Sequence, residues 1–241
     1  MIKTIAEHLI HLLVVLPIII WALKKRSVNN IKVLIAFSVF FLINGILVHL
    51  PLEFENLNIF TSQWNWAGKA FGIIGSIIFV LFYKKFSLKD YYLTTKQDKG
   101  FLKTGILVVV VVLIFQSALG FFTGSSKPWD LETILYQLTM PGIEEEIAYR
   151  GIMLGLLVQV LKPQRWSFIH PAIVVTALLF GMAHGLVLNE SFRLSFRMFP
   201  FFNTMLLGLV WGWITMKSGS IILALISHNL GNVVQNLIRM R

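Results

Sequence analysis

The chain has 241 residues, 56% of them hydrophobic and only 13% charged, with a mean hydropathy of +0.77. A soluble domain usually carries about 25% charged residues, so this chain cannot cover itself with polar surface and lipid must form part of its solvent. Its net charge of +10 is carried largely in short loops between apolar runs, a membrane-protein distribution that argues against nucleic acid as a partner. The absence of cysteine excludes disulfides, thiolate metal ligands and a cysteine nucleophile.

A helix needs about 20 apolar residues to cross the hydrocarbon. Eight segments qualify, at 5–23, 33–51, 67–83, 104–122, 131–160, 170–188, 200–216 and 219–238. The first lacks a basic leader and a small-residue cleavage site, which predicts a retained span rather than a signal peptide. The third is short, the fifth is long and interrupted by charge, and Lys217-Ser218-Gly219 alone separates the last two. The expected fold is therefore all-α: one polytopic membrane domain over residues 1–241, a bundle of about eight transmembrane helices around a polar cavity.

The loops after spans one, three, five and seven hold thirteen Lys and Arg, including Lys24, Lys89, Lys162 and Arg165. The opposite side holds seven, including Lys69, Lys127 and Arg241. The positive-inside bias then predicts both termini outside. In the linker Lys84–Lys103, Phe86, Leu88, Tyr91, Tyr92 and Leu93 interleave with lysines. That pattern fits a segment lying on an anionic membrane surface, or a solvated loop.

A charge at the centre of a membrane helix costs at least about 2.5 kcal/mol. The fifth span nevertheless reads Gly142-Ile143-Glu144-Glu145-Glu146-Ile147-Ala148-Tyr149-Arg150. On a helix Glu146 and Arg150, four apart with the acid first, neutralise one another. Glu145 lies about 100° away and is left without that partner, as a candidate general base. Glu144 is expected on another face or nearer water. The alternative is that Pro141-Gly142 breaks the helix and the acids form a solvated turn.

Span six puts Phe180 and His184 on one face, and span eight does the same for His228 and Asn232. Each histidine alone suits a hydrogen-bonded structural role; together the three spans converge on one interior cavity. Gly181, Gly185, Gly208, Gly212 and Gly231 allow close helix approach. His8, His11, His49 and His170 fall near span ends, where polar groups cost little, and no chemistry is expected of them.

A carboxylate, two imidazoles and an amide, with no serine in a nucleophile elbow, suit activation of water. Glu145 would take a proton from water that His184 helps to hold. His228 and Asn232 would donate to the tetrahedral oxyanion. Glu145 and the two histidines are equally a familiar Zn²⁺ set, although no His-Glu-x-x-His is present.

Glu145-Glu146-x-x-x-Arg150, Phe180-x-x-x-His184 and His228-x-x-x-Asn232, in that order on consecutive apolar segments, resemble the three motifs of the CAAX-protease and bacteriocin-processing family. These are intramembrane glutamic endopeptidases related to the endopeptidase that trims prenylated proteins. The resemblance covers the motif region 141–236; spans within 1–122 carry no motif of it. It implies an eight-helix bundle and a catalytic set of Glu145, His184, His228 and Asn232, supported by Glu146 and Arg150. It also favours a metal-free enzyme with no cofactor over a zinc-dependent one.

The implied substrate is a membrane-associated peptide or small protein precursor, such as a bacteriocin leader or a signalling peptide. The implied location is the cell membrane, multi-pass, in a bacterial plasma membrane. Two competing readings are a self-immunity membrane protein with a vestigial site and a small transporter with a proton relay. The complete motif set argues against the first, and the lack of paired broken helices in two similar halves argues against the second.

Overall fold

The computed structural model describes residues 1–60, 62–124, 128–163 and 169–240. Lys127, Arg165 and Arg241, which enter the loop-charge comparison, lie outside the described residues. The helices are α1 (Ile2–Ala22), α2 (Val28–Glu53), α3 (Trp66–Phe82), α4 (Leu102–Phe122), α5 (Leu131–Glu145), α6 (Leu154–Val160), α7 (Pro171–Gly185), α8 (Met198–Ser218) and α9 (Ile222–Arg239). A π-helical segment, Glu146–Met153, joins α5 to α6 without a break. Each of the eight apolar segments thus contains a helix. The helices α1, α2, α4 and α8 are long and apolar enough to cross a membrane, and α3 and α7 are shorter apolar helices. The protein is an all-α polytopic membrane protein.

Local chemistry sets several helix starts. Ser27 accepts from the Asn30 amide, Asn65 from the Gly68 amide, and Asp130 from the amides of Glu132 and Thr133. Each side chain satisfies an amide that has no partner within its helix. At α7, His170 Nδ1 accepts from the Ala172 amide and Pro171 occupies the first helical turn, where its missing N–H is harmless. Gly219, at φ 77°, ends α8 in the left-handed region that lets the chain reverse into α9.

The fifth apolar segment is the axis of the bundle. Every residue from Ala148 to Leu157 is buried, and Phe37, Phe41, Ile173, Leu179 and Trp211 pack around it. The outer helices instead turn apolar residues outward: Leu13, Ile20, Leu107 and Ile114 are exposed, as a lipid-facing surface requires. α7 packs against α8 through small residues. A Cβ on Gly212 would approach Ile173 to 2.9 Å, and one on Gly208 would approach Ala177 to 3.1 Å.

As the helical reading of the charge cluster expects, the helix does not break at Pro141-Gly142; α5 runs through both and continues as the π-helical segment. One expectation changes. The end of the sixth apolar segment is not helical: Leu186–Leu188 (β1) pairs antiparallel with Leu194–Phe196 (β2), with Leu186 opposite Phe196. The chain could turn there because Leu188 N–H donates to Glu7 and the Leu186 carbonyl bonds His11, both on α1.

The Lys84–Lys103 linker turns its aromatic residues inward while its lysines stay exposed. Tyr91 is buried, and Phe86, Tyr92 and Leu93 pack on the core. Gly151 and Gly155 make room for it, since a Cβ on Gly155 would meet the Asp90 carbonyl at 2.6 Å. The Tyr92 carbonyl then accepts from the Ile221 amide at the α8–α9 turn.

The α7–α8 contact at Gly185 gives a direct test. A Cβ on Gly185 would lie 2.4 Å from Phe201 Cβ and 2.7 Å from its backbone. Gly185→Ala is expected to destabilise the α7–α8 pair by about 1–3 kcal/mol, the usual cost of overpacking. Thermal unfolding in detergent measures it, and an unchanged midpoint would contradict the contact.

Candidate active site

The three adjacent carboxylates have different partners. Glu144 is buried, at 2% exposure. Its Oε1 accepts from Asn44 Nδ2 on α2 at 2.8 Å, and its Oε2 accepts from Lys69 Nζ on α3 at 2.7 Å. The same ammonium donates to Glu145 Oε1 at 2.6 Å. Lys69 therefore belongs to the interior, not to the outer loop charge in which its hydropathy neighbourhood placed it. Small residues bring α3 close enough for this: a Cβ on Gly72 would lie 2.9 Å from Glu144 Cγ, and one on Gly68 would lie 2.1 Å from the Val48 carbonyl.

Glu146 pairs with Arg150 at 3.1 Å as expected, with both side chains almost fully buried. It also accepts from His228 Nδ1 at 2.8 Å. His228 Nε2 lies 3.7 Å from Glu145 Oε2, beyond direct hydrogen-bond range. The two carboxylates expected to diverge around the helix thus both reach one imidazole. Glu145 ends α5 and Glu146 opens the π-helical segment, and the wider π turn changes the register of side chains around the axis.

Aromatic rings hold the cations. The Arg150 guanidinium lies 4.2 Å from the Phe180 ring centroid and 5.2 Å from that of Trp211. Nη1 is the atom that pairs with Glu146 at 3.1 Å, and the ring faces add a cation–π attraction to that pair. Trp211 also stacks on His228 with centroids 4.2 Å apart and planes 12° from parallel. Its indole N–H donates to Ser227. Phe180, read in sequence as sharing a face with His184, packs edge-on against that ring at 4.6 Å as well.

His184 Nδ1 bonds the Phe180 carbonyl at 2.8 Å. A carbonyl only accepts, so Nδ1 carries the hydrogen and the neutral ring keeps its lone pair at Nε2. Asn229, unassigned in sequence, ties α9 to α5 where Pro141 interrupts the ladder. Its Oδ1 accepts from the Gly142 amide at 2.9 Å and its Nδ2 donates to the Thr139 carbonyl at 3.3 Å. Gly142 is required there, because a Cβ would sit 2.1 Å from Asn229 Oδ1. One residue earlier stands His228; one turn later, Asn232 lines the same cavity as His228.

All six residues singled out in sequence therefore come together. The sequence reading missed Lys69, Asn44, Trp211 and Asn229. His8 and His49 keep their places toward the span ends. His8 and His11 are buried, the His8 ring lies within 6.0 Å of both His11 and His49, and His8 and His49 line a cavity that reaches Glu145. That cavity, of about 150 Å³, lies toward α1 and α2; a second, of about 370 Å³, lies among α4, α5, α8 and α9. Lys69, Glu145, Phe180 and His184 line both.

Among the described residues no group of three His, Asp or Glu is arranged to hold a metal. Lys69 already sets a positive charge 2.6 Å from Glu145 Oε1.

Residues 127–234 match the family model described as type II CAAX prenyl endopeptidase Rce1-like. A search of curated proteins and a search of solved structures found no match.

The lysine clasp makes a stability prediction. Lys69→Met would leave Glu144 and Glu145 buried without their cation, which is expected to cost about 3–5 kcal/mol. Adding Glu144→Gln should restore part of that loss, because one uncompensated charge is then removed. Unfolding midpoints of both variants in detergent decide the matter; equal stability of Lys69→Met and the parent would refute the clasp.

Proposed function

Taking residues 127–234 as a Rce1-like domain, we propose that this chain is an intramembrane endopeptidase of the glutamic type. It cleaves a peptide bond in a membrane-associated peptide or small protein precursor, such as a bacteriocin leader, and resides in a bacterial plasma membrane with both termini outside. The reading rests above all on Glu145, which lines both interior cavities together with His184.

The chemistry follows from hydrogen positions. A water beside Glu145 Oε2 donates one hydrogen toward that carboxylate and the other to the lone pair on His184 Nε2. Glu145 takes the proton as the water oxygen bonds the scissile carbonyl carbon, and later delivers it to the leaving amine. One water is consumed, and two products leave. No metal takes part in this scheme.

The oxyanion role of His228 has a stated condition. Glu146 Oε1 accepts from His228 Nδ1, so Nε2 carries a hydrogen only in the imidazolium form. Asn232 supplies a second, neutral donor from the next turn of α9.

Purified protein with a candidate precursor peptide tests this reading. Glu145→Ala should lower kcat by about 10²–10⁴-fold, as loss of a general base does. His228→Ala and Asn232→Ala should each lower it by about 10²–10³-fold, as for oxyanion donors. A strong chelator should leave the parent enzyme active. Full cleavage by Glu145→Ala would sink the mechanism, and loss of activity on chelation with recovery on added zinc would sink the metal-free scheme.

A further inference from the structure

The two cavities that meet at Glu145 differ in size and chemistry. The larger, about 370 Å³, is walled by Trp64, Tyr136 and Trp211 with the amides of Gln137, Asn203 and Gln235. Flat rings and spaced amides are suited to an extended peptide, whose backbone needs partners on both edges. The smaller, about 150 Å³, is walled by Glu7, His8, Asn44 and His49 on α1 and α2. Its imidazole, carboxylate and amide walls are suited to hydrogen-bonding water.

The smaller chamber also has an unmet demand for a hydrogen bond. Asn44 spends its Nδ2 on Glu144, while its Oδ1 is buried with no hydrogen-bond partner among the described residues. A route outward begins at His49. It lines the chamber and also a cavity of about 420 Å³ at the end of the bundle, shared with Met1, Lys3, Glu53 and Glu190. There the Met1 amino group pairs with Glu53 at 2.8 Å, and Lys3 pairs with Glu190, which is 90% exposed. Charged, exposed groups of that kind mark an aqueous boundary.

The geometry points to a dedicated water path: the hydrolytic water reaches Glu145 from the bundle end past His49, through the His8–Asn44 chamber. The peptide occupies the other cavity. The proposal rests on the endopeptidase reading and adds to it the route of the second substrate. A peptide filling the larger cavity closes that side to solvent, and the α1–α2 chamber keeps the nucleophile supplied while it is bound. It also assigns a task to the N-terminal helices, in which no motif was legible.

The chain has no cysteine, so a single introduced thiol is a unique handle. Val48→Cys stands on the chamber wall, Thr204→Cys on the wall of the larger cavity, and Ile78→Cys on the exposed apolar face of α3. Each full-length variant in detergent is treated with a small, charged, water-soluble methanethiosulfonate. Thiolate forms only in contact with water, so Val48→Cys should react faster than Ile78→Cys. Compared with its unlabelled form, labelled Val48→Cys should lose kcat by about 100-fold, the cost of misplacing a reacting group, with KM for the peptide unchanged. Labelled Thr204→Cys should instead raise KM.

Reaction of Val48→Cys no faster than Ile78→Cys would overturn the path, as would labelling there that raises KM and spares kcat. Ala183→Cys, on the same chamber wall from α7, repeats the measurement if Val48→Cys does not fold. Failure of the parent protein to cleave any precursor in a Glu145-dependent way would defeat the endopeptidase reading alone, because the labelling rates are read without turnover.

Discussion

The interior of this bundle holds three carboxylates, an ammonium and a guanidinium, and the rest of the architecture is arranged around keeping them neutral. In hydrocarbon each isolated charge is costly, and removing one partner of a buried pair costs more than the pair itself contributes. The solution here is a chain of shared partners. Asn44 and Lys69 hold Glu144, Lys69 holds Glu145, His228 stands between Glu145 and Glu146, and Arg150 closes on Glu146. Because these groups come from α2, α3, α5, the π-helical segment and α9, the charge network also fixes how those helices sit against one another.

The network explains why two halves of the chain depend on each other. The family match and the three motifs lie in the C-terminal half, yet the cation that neutralises Glu144 and Glu145 is on α3. The axis helix also packs against α2 and α3 from the N-terminal half. Close approach is what makes the pairings possible, and it is set by glycines at the crossings: Gly68 and Gly72 on α3, Gly142 on α5, and Gly181, Gly185, Gly208 and Gly212 between α7 and α8.

Much of this was legible in sequence, and the misses have physical causes. Hydropathy located eight helices because lipid demands a long apolar run whatever the tertiary structure. Helical spacing paired Glu146 with Arg150 because that contact is local. Lys69 was invisible for the opposite reason: its partners are 75 and 76 residues away, and a lysine three residues into a short span looks like an interfacial residue. Asn229 was passed over because an amide beside a histidine has no signature until Pro141 opens the ladder it repairs. The π-helical segment has no composition cue, so the divergence predicted between Glu145 and Glu146 assumed a uniform α-helix. Tyr91 was read with its lysine neighbours, although burial of one aromatic ring against Gly155 outweighs the polarity of an adjoining loop.

The aromatic residues complete the electrostatic logic. Phe180 touches Arg150 through its face, and it contacts His184 and His228 edge-on at 4.6 and 6.2 Å. Trp211 stacks on His228 and also lies within 5.2 Å of Arg150. A ring face attracts cations, so both residues favour the Arg150 guanidinium. They do this without adding any polar group that would itself need a partner in the membrane. The same rings fix the planes of both imidazoles. His184 is held through Nδ1 by a carbonyl and His228 through Nδ1 by a carboxylate, so each neutral ring keeps its lone pair at Nε2.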